Sequence, residues 1–410
     1  MLSEKEKLDS LARLGVDLNL IQDLDILMER ILTEARRFVN ADAGSIYIRH
    51  SGRLHFTYTQ NDTLQSRLQA GEKLIYSDFA VPINDDSIAG YVAKSGEPLN
   101  LPDVYRLDAA GPYHFDKEFD NTTHYRTRSV LTLPLATSMG DLLGILQIIN
   151  AQDENRQVLP FTVSDEKIMT HFASIAAVAL ARAQMTRAIL LRMMNMAEMR
   201  DPKETGAHVN RVGGYAVELY ENWARRHHVP PKEIDKNRDI LRMAAMLHDV
   251  GKVAISDLIL KKPAKLDPAE FETMKQHTIL GAQLFMSPQS DFDDAAAEVA
   301  LNHHERWDGQ GYPGHVDVAS GQPLPGFARS DGSARGKNGA EIPIFGRIVA
   351  IADVYDALSC QRVYKQAWDE SDVLAVIKAG SGQHFDPELV DIFFACLNVL
   401  RSIQKRYQDG

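Results

Sequence analysis

The segment MLHDVGK at 246–252 sets His248 and Asp249 side by side at the end of an apolar helical stretch. Alone, such a pair is more often a surface pair or a capping aspartate than a ligand. Four other places in the chain supply the same chemistry: His208 in KETGAHVNR, His277 in MKQHT, the pair His303–His304 in LNHHERWDGQGYP, and Asp353 in RIVAIADVYDAL. Imidazoles and carboxylates are the ligands of borderline first-row cations such as Fe, Mn or Zn. The nearest cysteines are Cys360 and Cys396, far from these histidines, and the candidates lie tens of residues apart. That spacing argues against a structural zinc finger and for ligands projecting inward from several helices. Asp353 has Ile348, Val349, Ile351 and Ala352 around it. It is either on a solvated helix face or buried with a partner, for which a cation serves.

The elements that must position these residues divide the 410-residue chain into two domains. Residues 1–163 mix helix and strand signals. An apolar-periodic stretch through Leu18, Ile21, Leu24, Leu27, Ile31 and Phe38 predicts a helix. Alternation at Leu54, Phe56 and Tyr58, with the runs 45–48, 129–135 and 142–149, predicts strands of an antiparallel sheet with helices, an α+β domain. From Phe161 to Asp201 there is neither Gly nor Pro, so 164–200 reads as one long connecting helix. Met169, Ala173, Ala176, Leu180, Ala183, Leu190, Met194 and Ala197 fall on three- and four-residue steps along it. This seam suits packing within the chain as well as a coiled-coil homodimer. Residues 201–410 are helical in pattern except for 314–340, where six glycines stand among Ser, Pro and Asp. That composition forms no packed core and reads as a long excursion, either a lid or a passive surface loop.

Composition excludes several function classes. With 44% hydrophobic and 25% charged residues the chain is an ordinary globular protein. Lys plus Arg number 45 against 56 Asp plus Glu, a formal charge of −11, which disfavours a nucleic-acid binder. Two cysteines suit a reducing compartment. MLSEKEKLDS has no apolar leader core, and the most apolar stretch, from His171 to Arg182, is shorter than the ~20 residues that span a bilayer. The expectation is a cytoplasmic protein with no membrane partner.

His248-Asp249, Gly251-Lys252 and then HHERWDGQGYP at 303–313, with Gly311, Tyr312 and Pro313 as the GYP element, resemble the HD-GYP branch of the HD phosphohydrolases. Matching segments run from Arg200 to about Asp386 and include IADVYDALSCQRVYK and QHFDP. The resemblance implies an all-helical domain holding two or three divalent metal ions, iron or alternatively manganese, that opens cyclic di-GMP. By position it puts the metal ligands at His208, His248, Asp249, His277, His303, His304 and Asp353, with Glu204 accompanying a third ion. Asp249 is then suited to bridge two cations, which would clamp a phosphodiester and hold a hydroxide nucleophile. The same resemblance assigns Lys252, Arg362 and Lys365 to the substrate phosphate and lets Tyr312 stack on or hydrogen-bond to a guanine. The first domain resembles a GAF sensor: Asn150, Phe161, Asp165 and Glu166 match most of a five-residue signature, with Ala151 where that signature has lysine. It implies an unknown small ligand. Rival readings are a metal-bearing cyclic di-GMP receptor or docking module without turnover, and an enzyme for another cyclic nucleotide.

Overall fold

The computed structural model describes residues 4–68, 79–108, 110–198, 206–360 and 368–407, excepting the side chains of 4–10 and 194–198. Glu204, Arg362 and Lys365 lie outside the described residues. The chain falls into two compact units, Met1–Arg187 and Ala188–Gly410.

The first unit opens with α1 (Glu4–Leu20) and α2 (Leu24–Phe38). The apolar period from Leu18 to Phe38 is therefore carried by two helices, a correction to the single helix expected. Asp23 causes the break: its backbone is extended and its Oδ1 accepts from the N–H groups of Asp25 and Ile26, at 2.9 and 3.0 Å, which starts a new helix. Strands β1 (Ala41–His50), β2 (Arg53–Asn61), β3 (Ala80–Pro82), β4 (Leu99–Leu101), β5 (Val130–Ala136), β6 (Leu142–Gln152) and β7 (Val158–Leu159) form an antiparallel sheet, ordered β3-β2-β1-β6-β5-β4 with β7 against β6. Helices α3 (Asp62–Gln65), α4 (Ile88–Ser95) and α5 (Glu118–Thr123) fill the connections. The α+β expectation and the four strand runs agree with this sheet.

The long helix is α6 (Val163–Glu198). Met169, Ala173, Ala176, Leu180 and Ala183 pack with Phe172 into one core with Leu27, Ile31, Leu32, Leu133 and Leu146 of α2 and the sheet. The seam is thus occupied within its own unit up to Ala183, and Leu190 lies in a cluster with Val209, Met243 and Leu247 of the second unit. Met194 and Ala197 are among the side chains outside the description. By length and composition Val163–Met193 is also enough to cross a membrane, so the short stretch expected from the sequence understates it. One face of it, from Met169 to Ala183, packs into the first unit's core, and a third of the apolar window is buried.

The second unit is helical: α7 (Gly206–Arg226), α8 (Pro231–Met246), α9 (Asp257–Leu260), α10 (Pro268–Lys275), α11 (His277–Gln283), α12 (Asp291–Asn302), α13 (Ile344–Ser359), α14 (Glu370–Ala379), α15 (Pro387–Ala395) and α16 (Leu397–Arg406). Its core joins Val212, Tyr215 and Leu219 of α7, Leu241 and Ala245 of α8, Val299 of α12, and Ile348, Ile351 and Tyr355 of α13. Burial of such side chains, worth about 1.5–3 kcal/mol for each large one, fixes the four helices that carry or adjoin the candidate ligands.

The 314–340 excursion is ordered without an apolar core of its own. It is held by local pairings at Val316–Pro323 and Ala328–Ala334, by the His315 ring stacked on Phe327 at 3.9 Å, and by Arg335 on Glu341 at 2.9 Å. Gln283 of α11 ties it down by donating to the Val318 carbonyl at 2.8 Å.

Candidate metal centre

Each candidate ligand sits at a helix end or on a helix face. His208 is in the first turn of α7, and His248-Asp249 follow the end of α8 and lead into a 3-10 turn, Val250–Ala254. His277 opens α11, His303-His304 follow α12, and Asp353 stands on α13. Gly251 is what lets the turn lie against α11: a Cβ there would fall 2.0 Å from the His277 carbonyl oxygen.

Two groups result. Ligand atoms of Asp249, His277, His303 and His304 all lie within 4.8 Å of one another, and so do those of His208, His248 and Asp353. Asp249 faces both. Its Oδ1 is 3.1 Å from His277 Nε2 and 3.5 Å from His303 Nε2, while its Oδ2 is 3.3 Å from His248 Nε2. On the other side, Asp353 Oδ1 lies 3.7 Å from His208 Nε2 and 3.9 Å from His248 Nε2.

The imidazoles are oriented from behind. Nδ1 of His248 meets the Ala245 carbonyl at 2.8 Å, Nδ1 of His277 meets that of Met274 at 2.7 Å, and Nδ1 of His303 meets that of Ala300 at 3.0 Å. A carbonyl accepts, so Nδ1 carries a proton and Nε2 is the ring atom turned inward. His208 is held instead by a carboxylate, with Nδ1 2.8 Å from Asp356 Oδ2. Asp356 is itself gripped by Arg211, whose Nε and Nη2 donate at 2.6 and 2.9 Å. Burial opposes that charge, yet His208 and Arg211 bring its carboxyl down to about 2.

Electrostatics matches this set to a cation. Burial lowers the pKa of His303 and carries that of His304 well below the ordinary imidazole value, so both are neutral near pH 7. Burial also works against the Asp249 charge, but Lys252 and the His248 and His277 side chains hold its carboxyl well below the usual range. Nε2 of His303 lies 3.4 Å from Nε2 of His277, beside an oxygen of Asp249. N/O donors gathered in this way suit Fe, Mn or Zn.

Lys252 donates to Asp249 Oδ2 at 2.7 Å, an ion pair next to the ligands. Tyr312 lies over His304, ring centroids 4.9 Å apart and tilted by 30°, its phenol pKa raised by burial. Gly311 permits the turn, since a Cβ there would lie 2.3 Å from the Arg306 nitrogen. Sequence reasoning missed Asp356 and Glu305. Asp356 stands three residues beyond Asp353 on α13, a spacing that puts both on one helix face. Glu305, 1% exposed, accepts from Gly314 N–H at 2.5 Å and Lys337 N–H at 3.1 Å, and so pins the excursion to the segment that carries His303 and His304.

In the first unit Asn150 is structural. Its amide donates to the Tyr125 hydroxyl and the Arg126 carbonyl, at 2.9 and 2.8 Å, and its Oδ1 accepts from Arg128 N–H at 2.7 Å. Ala151 pairs with Leu159, and Asp165 accepts from Thr162 N–H and Oγ1 at 3.0 and 2.7 Å.

Residues 205–358 match the HD domain model, a second HD domain model matches 328–389, and the GAF domain model matches 23–180. The chain thus joins a region that matches the GAF domain to a region that matches the HD domain. A probable cyclic di-GMP phosphodiesterase of Vibrio cholerae is 38% identical over 224 residues, which are 51% of this chain and 44% of that protein. A cyclic di-GMP phosphodiesterase of Thermotoga maritima is 37% identical, over 54% of this chain and 52% of its own length. A 3'3'-cGAMP-specific phosphodiesterase 2 of Vibrio cholerae is 36% identical, over 50% and 34% respectively. The chain thus spans about half or less of the length of these relatives.

Proposed function

We propose that this protein is a metal-dependent phosphodiesterase that hydrolyses cyclic di-GMP under the control of its GAF domain. The observation that carries the reading is Asp249, whose two oxygens face two separate groups of inward-turned imidazoles. One ion would be held by Asp249, His277, His303 and His304, and the other by Asp249, His208, His248 and Asp353; iron is the first choice and manganese the second. Such a pair, when bound, supplies a hydroxide at neutral pH and neutralises charge on a phosphodiester in hydrolysis.

The chain's own groups do the remaining work. Lys252 brings a cation to the rim of the pair and is near enough to leave Asp249 for a phosphoryl oxygen. Tyr312 walls the site over His304 and helps keep water out. Arg362 and Lys365 are proposed as further phosphate contacts, and Glu204, four residues before His208, as a ligand of a third ion. The relatives named as cyclic di-GMP phosphodiesterases support this substrate, and the 3'3'-cGAMP-specific relative supports a second reading with a mixed dinucleotide. A receptor without turnover would not need the full donor set together with Lys252. The GAF ligand is proposed to be a small molecule, and the compartment to be the cytoplasm, in keeping with a chain of only two cysteines.

The test is anaerobic purification, metal analysis and turnover of cyclic di-GMP beside the Asp249→Ala variant. The expected result is at least two metal equivalents and activity in the native chain, with loss of both in the variant. Metal-loaded protein that binds the dinucleotide without cleaving it would replace the enzyme reading by the receptor.

A further inference from the structure

Helix α10 has no buried residue, although Phe271 lies on it and is 45% exposed. The helix is held by polar means: a capping box between Asp267 and Glu270, and the ion pair of Lys262 with Glu270. Core packing therefore gives no reason for the Phe271 ring. Single exposed apolar residues are ordinary. What distinguishes this one is its neighbours, because its ring meets that of Tyr312 edge to face, centroids 6.3 Å apart, and Tyr312 in turn covers the ligand His304. The Lys275 ammonium sits beside both rings, 5.1 Å from the Phe271 centroid and 5.5 Å from that of Tyr312.

From these contacts we infer that Phe271 and Lys275 form the seat of one purine of the dinucleotide, Phe271 stacking on the base and Lys275 reading guanine. The inference rests on the phosphodiesterase reading and adds a base-recognition site to it. With a phosphate at the metal centre, a nucleoside must leave past its wall, and the path along Tyr312 ends on an aromatic face in water. Guanine offers two adjacent acceptors, O6 and N7, to an ammonium, whereas adenine puts an amino donor beside N7. Lys275 donates to Glu272 at 2.6 Å and keeps further N–H donors for such an edge.

Calorimetric binding of GMP, AMP and ribose 5-phosphate to the metal-loaded full chain tests this apart from turnover. Phe271→Ala is expected to weaken GMP about tenfold, within the range for loss of one base stack, to leave ribose 5-phosphate unchanged, and to keep metal content. Phe271→Trp should restore GMP binding. Lys275→Gln should weaken GMP but not AMP and so narrow their ratio. An equal loss for GMP and ribose 5-phosphate in Phe271→Ala, or no loss, overturns the seat, and an unchanged GMP to AMP ratio in Lys275→Gln overturns the role of the lysine. Should the native chain cleave no cyclic dinucleotide while GMP binding still depends on Phe271, the enzyme reading falls and the base seat stands.

Discussion

Asp249 was legible in the sequence because its neighbour is a histidine and because four other segments carry ligand-type residues. Asp356 was not, since a second aspartate on an apolar helix has no mark in one dimension. Only the fold brings Arg211 and His208 against it. A carboxylate behind a ligating imidazole fixes its tautomer and raises its basicity, and losing such a partner typically costs 10- to 100-fold in metal affinity. Asp356→Asn keeps the shape and removes the charge, so it is expected to weaken by that factor the binding of the ion proposed for His208, His248 and Asp353. Competition with a chelator, monitored by metal content, measures it. Unchanged affinity would mean that Asp356 serves only to neutralise Arg211.

At the scale of elements, hydrophobic period predicted the strands and the long helix closely, because alternation and 3.6-residue repeats are local properties. It joined α1 to α2 because the cap at Asp23 falls between two apolar stretches in phase. The 314–340 excursion was opaque for a different reason: part of what holds it is a pair of backbone hydrogen bonds to a residue outside it, Glu305. Removing that carboxylate leaves the Gly314 and Lys337 N–H groups without their acceptor, at roughly 1–3 kcal/mol for each buried donor. Glu305→Ala is therefore expected to lower the melting temperature of the full chain by several degrees. Proteolysis within 314–340 should become faster in the same variant. An unaltered melting temperature and cleavage rate would show the excursion to be held by its own pairings alone.

For the whole molecule, acid stability and association follow from groups that the sequence could not rank. Burial, with Arg306 nearby, lowers the His384 pKa to about 4 against an ordinary 6.5. The folded state then resists a proton that the unfolded chain accepts, so this group costs nothing above pH 6.5 and destabilises progressively as pH falls toward 4. Denaturant midpoints across that window should fall less in His384→Gln, and parallel curves would refute the assignment. Association concerns the homodimer that the seam of α6 suggested. Met169, Ala173, Ala176, Leu180 and Ala183 are spent on the first unit's core, so a dimer must use another face. Val178 and Met185 of the same helix are 58% and 67% exposed, and Val16 and Leu20 of α1 are 63% and 70% exposed. The two helices run side by side: a Cβ on Gly15 would touch Ile175 at 3.4 Å, and Arg182 donates to the Ile21 carbonyl. Two such helices meeting their symmetry mates would bury all four side chains in an isologous interface. Sedimentation of the full chain should thus give a dimer, and Met185→Glu, which puts a charge in that interface, should shift it toward monomer while the protein stays folded. A native chain that remains monomeric at high concentration would leave these side chains in water and remove the dimer from the account.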